Sequence, residues 1–170
     1  MQMSTAGARA ALDGSHLGKV LGFMRVLLSV DHAVQGCSKH MQSRYGITAT
    51  QRLLVRTVGL YPGISAGDVA SIMEVHPSTL TPVLLRLERD KTITRQVDPT
   101  DRRRALLKLT PRGKKIDALQ TGTVESALKR ALSHVSEADR VTTQRVLRRV
   151  TEELERVRLV TPSSRASKSR

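Results

Sequence analysis

The stretch that decides the fold runs from Ile64 to Gly113 and reads ISAGDVASIMEVHPSTLTPVLLRLERDKTITRQVDPTDRRRALLKLTPRG. Its apolar residues change period along the way. Ser65-Ala-Gly-Asp68 has the form of a helix cap, and Val69, Ala70, Ile72 and Met73 follow at helical spacing, which predicts a short helix. After a tight turn, Pro77 occupies a first-turn position where its missing N–H is tolerated, and Leu80, Val83, Leu84 and Leu87 form the apolar stripe of a second helix. Two short helices so joined have the outline of a helix-turn-helix. The period then drops to that of strands. Ile93–Val97 and Ala105–Leu109 flank the polar segment Asp98-Pro-Thr-Asp-Arg-Arg-Arg104, which predicts a β-hairpin with a charged tip.

Helices are expected on both sides of this stretch. Thr48-Ala-Thr-Gln51 has capping-box spacing and opens a helix through Leu53, Leu54, Val58 and Tyr61, closed by Pro62-Gly63. Before it, a long helix from Leu17 to Gly46 carries Val20, Leu21, Met24, Leu27, Leu28, Val34 and Met41 on one face. Phe23, Val26, Val30, Ala33 and Cys37 lie on another, so one side suits its own core and the other a second subunit. Downstream, Thr110 and Pro111 suit the N-cap and first position of a fifth helix, and Ser136-Glu-Ala-Asp139 caps a sixth. Leu147, Val150, Leu154 and Val157 give that last helix a seam for a helical partner. The small, polar residues 1–15 and the basic, Ser-rich residues 161–170 are expected to be disordered tails. The expected divisions are 16–62, 63–110 and 111–160, and the fold class is mainly α with a small β wing (α+β).

Composition narrows the function. The chain has 170 residues, room for one domain with tails, and its 29 Lys and Arg against 15 Asp and Glu give a formal charge of +14. A polyanion is the expected partner. One Phe, two Tyr and no Trp cannot build the stacking platforms that read single-stranded bases, so duplex DNA is favoured. Between Arg86 and Lys115 eleven basic residues face four acidic ones, a net +7 concentrated on the second short helix, the hairpin and the start of the fifth helix. That placement favours phosphate and groove contact over a merely solvated charge run. The single Cys37 cannot form an intramolecular disulfide, and no secretion signal or bilayer-length apolar run is evident, so a cytoplasmic protein without membrane contact is expected.

The order of elements, together with HPSTLT at the start of the second short helix, LLRLE at its end and DRR shortly before TPRG, resembles the MarR family of winged helix-turn-helix regulators. The resemblance implies a winged helix-turn-helix domain with long flanking dimerisation helices, a homodimer, and an inverted-repeat operator in double-stranded DNA. It places Ser78, Thr79, Thr81 and Arg86 on the outward face of the recognition helix, and the stripe left by the four core residues agrees. It puts Arg103 in the minor groove, with Asp101 bracing the loop and Arg102 and Arg104 on phosphates. Pro82 stands where many relatives have a polar residue, and Lys91 near the place of their usual glycine. A small aromatic or anionic ligand between the dimerisation helices and the winged domain is also implied, with Arg25, Arg52 and Tyr61 as pocket candidates.

Other chemistry finds little support. His32, Cys37 and His40 spread over more than a right angle of their helix, so no metal site is expected. Leu21-Gly22-Phe23 has glycine where the family's peroxide sensors hold a thiol, and Cys37 reads as a small interface hydrophobe. No nucleophile elbow, P-loop or catalytic carboxylate pair is visible, so no cofactor and no enzyme activity are expected. The expected function is sequence-specific transcriptional regulation, most naturally repression relieved by a ligand. The rival is a sequence-independent, basic nucleoid- or RNA-associated protein.

Overall fold

After the first helix, the helix starts of this chain coincide with side chains that accept a hydrogen bond from the first turn. A computed structural model describes residues 17–99, 101 and 104–160; the expected tails and Arg102 and Arg103 lie outside the described residues. The elements run α1 (Gly18–Tyr45), α2 (Ala49–Leu60), β1 (Ile64–Ser65), α3 (Ala66–Ile72), α4 (Pro77–Arg89), β2 (Ile93–Val97), β3 (Ala105–Leu109), α5 (Pro111–Asp117), α6 (Val124–Leu132) and α7 (Glu137–Val160). They divide into two compact units between Ser126 and Ala127.

In the first unit, Thr48 Oγ1 accepts from the Gln51 N–H at 3.2 Å while Gln51 Oε1 accepts from the Thr48 N–H at 2.9 Å, the reciprocal capping box that opens α2. Ser65 and Thr110 cap α3 and α5, accepting from the N–H groups of Asp68 and Gly113 at 3.1 and 3.0 Å. Gly46, at φ 70°, ends α1 in the left-handed conformation that glycine adopts without strain.

The same left-handed turn follows α3 and α4, but without glycine. After α3, the Glu74 N–H reaches Ser71 O at 3.1 Å and the Val75 N–H reaches Ala70 O at 3.0 Å. After α4, the Lys91 N–H reaches Glu88 O at 2.9 Å and the Thr92 N–H reaches Leu87 O at 2.8 Å. Both are Schellman closures, with Glu74 at φ 52° and Lys91 at φ 53° in the left-handed position. An L-residue with a side chain is strained there, so the turn between the two short helices and the exit toward the hairpin are held against a local preference.

The three strands form an antiparallel sheet in the order β1-β3-β2. Ile93 pairs with Leu109 and Val97 with Ala105, while Ile64 pairs with Leu107 on the other edge of β3. Leu107, fully buried, anchors the sheet in a core that includes Met41, Leu54, Val58, Val69, Leu80, Leu84, Leu87, Ile93 and Ile116. Sheet and helices close on one another where Thr110 donates its N–H to Thr92 O at 3.1 Å. At that point a Cβ on Gly113 would sit 2.1 Å from the Thr92 carbonyl oxygen, which explains the glycine of the TPRG motif.

Three expectations need correction. The hairpin gains a third strand, β1, because Ile64 and Ser65 reach β3 from beside the cap of α3. The single fifth helix is two helices, α5 and α6. The chain turns at Gly122 (φ 68°), and Thr123 and Ser126 cap each other's N–H groups at 3.1 Å to restart it. On α1 the division of faces differs: Cys37 packs against the core together with Met41 and Tyr45, while Val20, Leu21, Phe23, Met24, Val26, Leu28 and Val30 are exposed. The core contacts of α1 fall in its C-terminal turns, at Cys37, Met41 and Tyr45. Leu53 and Tyr61 of α2 are likewise exposed, and Val55 takes the buried position beside Leu54.

In the second unit, Ser136 Oγ accepts from the Asp139 N–H at 3.1 Å and starts α7 as expected. Val146, Leu147, Leu154 and Val157 of α7 are exposed.

Two substitutions test the backbone contacts at Gly113 and Lys91. Gly113→Ala should lower the unfolding free energy by about 1 to 3 kcal/mol, read as a lower urea midpoint at an unchanged m-value, because the Thr92 carbonyl must move. Lys91→Gly should raise the unfolding free energy by about 0.5 to 1 kcal/mol, since relief of left-handed strain exceeds the added freedom of the unfolded chain.

Candidate nucleic-acid interface

The polar face of α4 is a consequence of its apolar one. Leu80, Leu84 and Leu87 are buried, Val83 packs against the same core, and Ser78, Thr79, Thr81 and Arg86 are all exposed on the remaining surface. Pro82 lies inside the helix, which runs on unbroken to Arg89. Having no N–H, Pro82 cannot bond to the Ser78 carbonyl one turn earlier. His76 is the N-cap, with its side chain accepting from the Ser78 N–H. Arg86 lies 3.8 Å from Asp90, a loose exposed pair that leaves its guanidinium available.

The hairpin follows on the same unit. Its tip is drawn in by the Asp98 N–H bonding to Arg104 O at 3.0 Å and the Arg104 N–H bonding to Asp101 O at 2.9 Å. Asp101 thus contributes its backbone carbonyl to the tip turn. Arg104, expected on a phosphate, places Nη2 3.0 Å from Asp68 Oδ2 and ties the wing to α3. Asp68 also accepts from the Ser65 hydroxyl at 2.6 Å. That hydroxyl, and then Arg104, hold the Asp68 carboxyl below its usual range. No local spacing announced this pair, whose members are 36 residues apart. Arg95 pairs with Glu88 at 3.7 Å, whereas Lys91, Lys108, Arg112, Lys114 and Lys115 are exposed around the base of the wing.

The three pocket candidates are not brought together by any hydrogen bond or ion pair among the described residues. Arg25 is exposed on α1 and Tyr61 is exposed at the end of α2. Arg52, only 3% exposed, is a structural residue instead. Its guanidinium donates to Ile116 O, to Leu119 O at 2.9 Å and to Glu125 at 3.1 Å, fastening α2 to the end of α5 and the start of α6. Burial lowers its pKa, and Glu125 opposes that shift. Arg56 beside it donates to Asp117 at 2.8 Å, and this bond raises its pKa. A separate cleft of about 490 Å³, lined by Glu88, Lys91, Ile93, Arg95, Pro111 and Arg112, contains none of the three candidates. Among the described residues no helix is long and apolar enough to cross a membrane.

Comparison with known proteins bears on this geometry. Residues 47–105 match the model of the MarR family. A protein of Thauera aromatica, provisionally named as the transcriptional regulatory protein for the hcr operon, is 32% identical over 109 residues. The match takes in 62% of this chain and spans 63% of that protein's length. Among solved structures, the MepR–DNA complex of S. aureus superposes with a TM-score of 0.64 at 22% identity, covering 77% of this chain and 97% of MepR. The PcaV regulator of Streptomyces coelicolor, solved with its natural ligand, gives a TM-score of 0.61 at 20% identity, covering 80% of this chain and 94% of PcaV. At these identities the likeness is one of fold. The matched residues 47–105 take in the helix-turn-helix and the first strand of the wing, so the part of the chain that resembles the MarR family is the part that presents α4 and the hairpin.

Proposed function

We propose that this protein is a sequence-specific regulator of transcription that binds double-stranded DNA in the cytoplasm as a homodimer, and that it represses until a small aromatic or anionic ligand releases it. The observation that carries the reading is the division of α4. Three buried leucines fix one face, and a hydroxyl-bearing, cationic face is left exposed next to a basic hairpin. Solved relatives of the same fold in complex with DNA and with a ligand support it. The rival reading, charge-driven binding without sequence preference, rests on the net +14 alone. Binding to DNA flanking its own gene, compared with scrambled duplex at fixed salt, separates the two, and a specificity ratio near one would sink the regulator reading.

The assigned contacts should fail in different ways. Arg103→Ala should weaken operator binding by about 1 to 3 kcal/mol and lower the salt-dependence slope by roughly one. Thr81→Ala removes an uncharged contact, so cognate affinity should fall while the slope and the affinity for random DNA hold. An unchanged slope for Arg103→Ala with a changed one for Thr81→Ala would reverse the assignment.

Assembly follows from the apolar residues that α1 and α7 each leave exposed. Sedimentation at micromolar concentration should give a dimer, and the operator should be an inverted repeat with half-site centres about 10 bp apart or a multiple of that. A monomer would refute this.

The pair Arg104–Asp68 yields a test of sign. Removing a carboxylate near DNA should by electrostatics alone tighten binding. If the pair sets the position of the wing, Asp68→Asn should weaken operator binding about two- to five-fold at an unchanged salt slope. Tighter binding by this variant would leave Arg104 as an ordinary phosphate contact.

A further inference from the structure

Hydroxyl groups at the start of α4 have their hydrogen-bonding polarity set within the protein. His76 Nδ1 accepts from the Ser78 N–H at 3.3 Å. A backbone N–H can only donate, so Nδ1 takes the acceptor role in this contact. Ser78 Oγ lies 2.7 Å from the same Nδ1, and against a nitrogen in the acceptor role the hydroxyl is the donor. One turn on, Thr81 Oγ1 donates to Pro77 O at 2.9 Å. A hydroxyl has a single proton, so Ser78 and Thr81 have already donated theirs inside the helix, and only their lone pairs remain for a partner. Thr79, exposed between them, makes no such bond among the described residues and retains both capacities.

The major groove presents acceptors at guanine O6 and N7, adenine N7 and thymine O4, and donors only at the amino groups of cytosine N4 and adenine N6. We infer that Ser78 and Thr81 read those amino groups, and that His76 is a positioning residue that orients the Ser78 hydroxyl for this task. This inference rests on the proposed binding of double-stranded DNA through α4. It goes further by naming the chemical group each hydroxyl recognises. Contacts to keto oxygens would require each hydroxyl to abandon an internal bond. Pro82, which supplies no N–H and no polar side chain, leaves these hydroxyls as the neutral readers of the first turns together with Thr79.

The test uses the full chain and a duplex selected by it from a random-sequence pool. Single bases of that duplex are replaced by analogues lacking one group: purine for adenine and 2-pyrimidinone for cytosine remove the amino group, and 2-aminopurine for guanine removes O6. Amino deletion at one or two positions per half-site should weaken binding about three- to ten-fold, the effect of one hydrogen bond. At one of those positions the effect should vanish in Thr81→Val, which keeps the side-chain shape, and at another in Ser78→Ala. Equal urea midpoints for wild type and Thr81→Val show that the fold is retained. If Thr81→Val and Ser78→Ala instead abolish sensitivity to loss of guanine O6, the inference fails while the regulator reading stands. If amino deletion weakens wild type and both variants equally, the inference likewise fails. A pool that yields no preferred duplex overturns both.

Discussion

The burial of Leu80, Leu84 and Leu87 is the constraint on which the rest of the first unit depends. Each fully buried leucine contributes about 1.5 to 3 kcal/mol by leaving water, and all three lie on one stripe of α4. The helix therefore has one rotational setting against α3 and β2, on which it packs. That setting turns His76, Ser78, Thr79, Thr81 and Arg86 outward without any one of them having to be held there. The strained turns at Glu74 and Lys91 are tolerated for the same reason. The leucine stripe and the paired strands that flank it outweigh roughly 1 to 2 kcal/mol of left-handed strain at each.

Charge is handled in two ways on this scaffold. Arg52 is buried and its two terminal nitrogens meet two backbone carbonyls and a carboxylate, so it works as a fastening between α2 and the segment joining α5 to α6. The bulk of the cationic charge stays in water around the wing and the end of α4. There it adds little to stability and is free to act on a polyanion at a distance. Arg104 stands between the two cases, exposed yet paired with Asp68, which links the orientation of the wing to the helix that precedes the recognition helix.

Much of this was legible beforehand where the cause is local. The caps at Thr48, Ser65, Thr110 and Ser136 depend on residues three positions apart, and all four form as their spacing predicts. The hairpin strands begin and end at Ile93, Val97, Ala105 and Leu109, as their period indicated. The break at Gly122 was missed because Thr121 and Thr123 carry no stop signal by themselves. The need for glycine at 122 shows only in three dimensions, where its φ is 68° and a Cβ would lie 2.6 Å from the Tyr45 hydroxyl. The faces of α1 were misread because periodicity reports that a helix is apolar on two sides but not which residues meet a core.

The sequence by itself therefore determined the capped helices and the two hairpin strands, the outward set of α4 and the excess of positive charge beside it. Each of these is set by contacts within about one turn of helix or by composition. Tertiary structure alone decided that Arg52 is a buried fastening, that Arg104 meets Asp68, that Ile64 and Ser65 complete a third strand, and that Gly113 lies against the Thr92 carbonyl. Those partners are distant along the chain. Which side chain fills a given space, or meets a given carbonyl, is settled only when separate elements pack, because burial and hydrogen-bond direction depend on three-dimensional proximity and not on sequence spacing.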